Sequence, residues 1–321
     1  MFERAHGKGY NGWSQLAILL GLAGGGIIVG GLASIPVWQM MTHSGILNIE
    51  KDMLKPENAS AAQALQVVSA FFVFFIPAVL FAYICYRKPW SFLGFKEKLN
   101  SRNLLITIAL ILCSIPMIGL LEYINRAIPL PAATRARFDA MEKTYNETVL
   151  VMVQLKTWGQ YLVSLAIIAL LPALTEELLF RGGLQNLLTR WIKSPWAAII
   201  ITSILFSAVH ASWYGFIVRF ALGIVLGLIY YYTRNIWLNI LAHFINNAIV
   251  VTSLFFVARH GGKVDMTAEN GYPLWLGIIG LGLVILLIRL LKTGNPKVAF
   301  DDHDMDQFDS NNPFDERNKY A

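Results

Sequence analysis

Charge is what this sequence has least of. Only 14% of its 321 residues are Asp, Glu, Lys or Arg, where a soluble domain carries about 25%. With 56% of the residues hydrophobic, an ordinary water-soluble domain is excluded. Cysteine is nearly missing too. Cys85 and Cys113 both fall in apolar runs, which excludes a disulfide framework and a zinc knuckle. Aromatic residues interleaved with basic ones are also lacking, so nucleic acid is not an expected partner.

Several apolar runs are long enough to cross a bilayer, which takes about 20 residues. The fold expected is all-α, a polytopic integral membrane helix bundle of about eight transmembrane helices. The expected spans are Leu16–Pro36, Leu65–Tyr86, Leu104–Ile124, Tyr161–Thr189, Trp196–Trp213, Phe216–Tyr232, Trp237–Val257 and Pro273–Leu291. Gly21, Gly25, Gly26 and Gly30 in the first span offer a face on which another helix can approach closely. Asn125–Thr157 is more polar and reads as a loop.

Three regions follow: 1–154, the first three spans with their loops; 155–292, a core holding the remaining spans; and 293–321, an acidic tail. The tail has three basic residues (Lys297, Arg317, Lys319) against seven acidic ones, a balance of −4; the whole chain is +6, so the rest is +10. Such a tail is expected to be disordered, and the basic remainder points to the lipid bilayer as a partner. Arg87, Lys88, Lys96, Lys98, Arg102, Arg190, Lys193, Arg234, Arg289 and Lys292 all fall on one side if the N-terminus is cytoplasmic. The positive-inside rule therefore places both termini in the cytoplasm. Short loops without organelle signals fit a bacterial inner membrane.

Against this background the stretch "LPALTEELLFRGGL" stands out. An acidic or basic residue at the centre of an inserting helix costs roughly 2.5–3.5 kcal/mol on translocon scales. Glu177 and Arg181 are one helical turn apart on a common face and can neutralise each other. Glu176 points about 100° away from that pair and is left without a partner. Glu176 lies as many residues before the Lys193 turn as His210 lies after it, so an antiparallel hairpin brings the two to one depth. His243 and Asn247 share a face of a later span.

A carboxylate and two histidines on separate helices suit a divalent, zinc-like ion. They equally suit a general base that activates water, with His and Asn as oxyanion donors. A transporter using Glu and His as a proton relay remains a third reading. Phe206 reads as packing.

"EELLFR" (Glu176 to Arg181), "FSAVH" (Phe206 to His210) and "HFINN" (His243 to Asn247) resemble the EExxxR, FxxxH and HxxxN motifs of the CPBP family. That family comprises type II CAAX prenyl endopeptidases and bacteriocin-processing (Abi-like) intramembrane metalloproteases. The resemblance covers about residues 155–257 and implies an eight-helix membrane fold. It implies an endopeptidase that hydrolyses a peptide bond in a membrane-anchored or lipidated protein substrate, from a site opening toward the cytoplasm. Carried over, Glu176 activates the attacking water and His210 helps hold it or a metal. His243 and Asn247 complete the metal site or stabilise the oxyanion, and Glu177 with Arg181 fixes the helix. A zinc ion held by Glu176, His210 and His243 is implied by the resemblance alone. A bacteriocin immunity or scaffold protein of the same fold, without catalysis, is the alternative.

Overall fold

The computed structural model describes residues 7–95, 97–153, 155–261 and 273–295. Among them the regular structure is helical, with one isolated bridge between Gly7 and Tyr86. We number nine helices: α1 Gly12–Thr42, α2 Pro56–Cys85, α3 Ser101–Ala127, α4 Ala132–Met152, α5 Trp158–Ile192, α6 Pro195–Ala208, α7 Phe216–Thr233, α8 Ile236–Arg259 and α9 Leu274–Gly294. All but α4 and α6 are long and apolar enough to span a membrane, so the chain is a polytopic all-α membrane bundle. Side chains such as Ile27, Ile28 and Ile278, each at least 60% exposed, give it the oily exterior that lipid requires.

Local sequence explains where the helices begin. The Thr157 hydroxyl accepts from the Gln160 N–H while the Gln160 side chain answers the Thr157 N–H, a capping box that starts α5. Asn11 caps α1, and Ser194 followed by Pro195 starts α6. Lys193 and Arg234 end α5 and α7 in the left-handed conformation, at φ 56° and 53°, which makes both following turns tight.

Two expectations are corrected. Asn125–Thr157 is mostly helix: after Pro131, the run of Ala and Arg residues in α4 favours helix although its faces are too polar to span. Trp196–Trp213 is not a full span either. Its helix, α6, stops at Ala208 after 14 residues, about 21 Å of rise against the roughly 30 Å hydrocarbon core. Of the four spaced glycines in α1, only Gly26 and Gly30 meet α2. A Cβ on them would lie 2.0 Å from the Phe72 carbonyl oxygen and 2.9 Å from the Phe72 Cβ, while Gly21 and Gly25 face open space. The acidic tail from residue 296 onward lies outside the described residues.

The basic end of the bundle is filled. A short turn, Pro89–Phe92, tucks in so that the Phe92 carbonyl accepts from the Asn186 amide (2.7 Å) and the Tyr230 hydroxyl (3.3 Å). The Phe92 ring stacks on Tyr86 at 3.6 Å. At the opposite end, α4 lies across the α6–α7 connection. Ser212 donates to Glu142 (2.7 Å), Tyr214 to Asp139, and the Phe138 ring stacks on Trp213 at 5.0 Å.

Candidate active site

Three helices set the site: α5 supplies Glu176, Glu177 and Arg181, the end of α6 supplies His210, and α8 supplies His243 and Asn247. In α5 the ordinary turn gives way to π-helical turns over Leu165–Leu170 and Leu178–Gln185. The wider turn spreads successive side chains, and such turns recur at functional positions. Every residue from Leu178 to Gln185 is buried.

Glu177 and Arg181 are both fully buried and paired at 2.8 Å, as the four-residue spacing requires. Glu177 is engaged further than the sequence suggested. His243 Nδ1 lies 2.9 Å from Glu177 Oε1, and the Asn239 amide donates to Oε2 at 3.2 Å. Arg181 also donates to the Gly223 carbonyl at 3.3 Å, and Gln185 to the Gly227 carbonyl at 2.9 Å. Both contacts depend on glycine, because a Cβ at Gly223 would fall 2.9 Å from Ser203 and one at Gly227 2.9 Å from Ile199. A buried ion pair is stable only when its remaining donors and acceptors are met; both Glu177 oxygens are met here, while Arg181 Nε, Gln185 Oε1 and Asn239 Oδ1 stay buried without a partner.

Glu176 sits beside that wall and shares none of it. Its Oε2 is buried without a hydrogen-bond partner and stands 3.9 Å from His210 Nε2. The hairpin count thus brought the right pair together. His210 Nδ1 lies 2.7 Å from the Phe206 carbonyl oxygen, which only accepts, so Nδ1 carries the proton and Nε2 offers its lone pair to the site. Two acceptors therefore face each other, and a hydrogen-bond donor or a cation is needed between them.

Phe206, read from sequence as packing, is more central than that. The Arg181 guanidinium lies 4.6 Å from its ring centre. The rings of His210 and His243 meet it edge-on at 5.1 and 5.7 Å. It separates Arg181 from the open face of the site and fixes both imidazoles. Asn247 is one turn of α8 beyond His243; its side-chain oxygen accepts from Asn246 at 3.1 Å, which leaves its amide N–H groups as donors.

The three-ligand metal centre expected from Glu176, His210 and His243 is not formed by these residues as placed. Among the described residues no three His, Cys, Asp or Glu side chains come together to hold a metal ion. His243 Nδ1 is committed to Glu177, which leaves Nε2 as its one available ring nitrogen. The donors that lie close together are Glu176 and His210.

Sequence reasoning missed two residues. Asn239, one turn before His243 in α8, donates to Glu177 Oε2. Arg219, in the first turn of α7, lies one turn before Gly223, whose carbonyl accepts from Arg181. The basic end is filled by Pro89–Phe92, and His210 lies at the end of α6 that α4 covers.

Comparison with known proteins finds similarity over this part of the chain. Residues 158–249 match the family model described as type II CAAX prenyl endopeptidase Rce1-like. The chain is 33% identical over 107 residues to the uncharacterized protein YpbD of Bacillus subtilis, a stretch covering 32% of this chain and 52% of that protein. The chain thus spans about half the length of this curated relative. No solved structure matches. The part of the chain that holds Glu176, Glu177, Arg181, His210, His243 and Asn247 is therefore similar, by family match and by motif, to the type II CAAX prenyl endopeptidase Rce1-like family.

Proposed function

We propose that this protein is an intramembrane endopeptidase that cleaves a membrane-anchored or lipidated protein near its C-terminus, of the CAAX type. The observation that carries the reading is the facing pair of acceptors, Glu176 Oε2 without a partner and His210 Nε2 at 3.9 Å. A water molecule between them donates one hydrogen to each and turns an oxygen lone pair outward. The water oxygen attacks the scissile carbonyl carbon as Glu176 takes its proton, and the carbonyl π electrons move to oxygen. The Asn247 amide, next to His243, faces that oxyanion. Collapse breaks the C–N bond, and Glu176 returns the proton to the departing amine. Glu177 takes no part in proton transfer; with Arg181 and Asn239 it holds His243 and the α5 backbone in position. Burial of Glu176 limits the access of bulk water to the reacting atoms, while the half-buried His210 stays reachable from outside.

The CAAX class comes from the family that residues 158–249 match, and the lipidated partner comes with it. Short loops without organelle signals support a bacterial inner membrane, and loop charge supports both termini being cytoplasmic, which puts α4 on the far face. Labelling a cysteine at Lys143 and one at Lys98 in intact cells checks this: only the first is expected to react with an impermeant reagent.

The test of the activity is hydrolysis of a prenylated CAAX-box peptide by the purified full chain in liposomes, with the products identified by mass. Cleavage is expected to persist in a strong chelator. Loss in chelator with recovery on added zinc would instead assign a metal to Glu176, His210 and His243. A bound protein that never cleaves the peptide would favour the non-catalytic immunity or scaffold reading.

A further inference from the structure

Arg219 carries an unmet requirement. Its Nη1 is buried and has no hydrogen-bond partner, and no carboxylate pairs with it among the described residues. Its other contacts hold it in place without neutralising it. Nη2 donates to the Tyr145 hydroxyl of α4 at 3.3 Å, and the guanidinium lies 5.3 Å from the centre of the same ring. On the other side it occupies the space a side chain at Gly215 would need, since a Cβ there would fall 2.1 Å from Nη1. Two arginines act electrostatically on Glu176. Arg181 is matched by Glu177; Arg219 is unmatched.

A fixed, partly desolvated guanidinium one turn of α7 before Gly223, whose carbonyl accepts from Arg181 at the site, calls for an anion that arrives with the ligand. Planar carboxylate is the group its fork geometry suits best. We infer that Arg219, clamped between Tyr145 and Gly215, is a specificity-determining residue that binds the free C-terminal carboxylate of the peptide substrate. This rests on the endopeptidase reading and deepens it, because it sets where along the chain cleavage falls. A carboxylate held at Arg219 lets only the last few residues reach Glu176, so the enzyme acts near a C-terminus and not within a long extramembrane loop.

The experiment compares one prenylated CAAX-box peptide as the free acid and as the C-terminal amide. For the wild-type chain in liposomes, kcat/KM for the acid is expected to exceed that for the amide by about tenfold or more, the scale of one charge-assisted contact. In Arg219→Ala the acid-to-amide ratio falls to about one, and in Arg219→Lys, which keeps charge but not the fork, it is intermediate. A purely structural role lowers both substrates together and leaves the ratio unchanged, which overturns the inference. Binding of the same two peptides to Glu176→Gln protein reads the contact without turnover. Equal affinity for acid and amide there also overturns it. If the wild type cleaves neither peptide while acid binding still depends on Arg219, the hydrolytic reading fails and the carboxylate site stands.

Discussion

Two neighbouring faces of α5 carry adjacent glutamates with opposite fates. Around Glu177 an arginine, an asparagine and a histidine close on one carboxylate. Around Glu176 an oxygen is buried without a partner, a histidine lone pair faces it, and an arginine nitrogen beyond is also unmet. The first face has the economy of a structural joint. The second presents polar atoms that no side chain of its own neighbourhood meets. Charged groups inside a membrane protein are costly, so the contrast shows that number of charges says little about function; the state of their hydrogen bonds says more.

The largest expected effect comes from the open face. Glu176→Gln keeps the shape and removes the base, and turnover is expected to fall by at least about a hundredfold, within the range for a general base. Its thermal melting in detergent should match the wild type or rise, since no internal contact is lost. A variant that melts early would place Glu176 in the structural wall and erase the contrast. Arg181→Ala comes next. It strands Glu177 in a site where both side chains are fully buried, and about 3–5 kcal/mol of stability is expected to go with it. The melting curve of the purified variant reads this; a loss of turnover at unchanged stability would move Arg181 to the chemical face.

Asn239→Ala is a finer probe of the same wall. Removing its amide leaves Glu177 Oε2 without that donor and should cost about 1–3 kcal/mol, with the remaining folded protein still turning over. The smallest effect is expected at the cover. Ser212→Ala removes the bond to Glu142, worth about 0.5–1.5 kcal/mol, and should speed hydrogen exchange in α4 while leaving the core helices α5 and α8 protected.

Much of this was legible in the sequence, and the reasons are physical. Hydropathy found the spans because lipid demands apolar exteriors, and the four-residue spacing found the Glu177–Arg181 pair because helical neighbours repeat at that interval. Glu176 and His210 could be levelled by counting because a short turn joins their helices. Asn239 and Arg219 could not be found that way. Their roles come from helices α7 and α8, whose rotation and depth relative to α5 no local count supplies. Nor do the π-helical turns of α5 leave a periodic trace. The α4 helix was hidden because helix formation there follows backbone preference without an apolar stripe.

The short α6 has a consequence for biogenesis. A helix of 14 residues does not reach across the hydrocarbon on its own, which takes about 20. It cannot be laid into the bilayer as an independent stop. α6 and α7 must leave the translocon as a single hairpin, with Gly223 and Gly227 already packed against Ser203 and Ile199. Arg219 then enters the bilayer on a helix already paired with α6, and Tyr145 of α4, made earlier, is there to receive it.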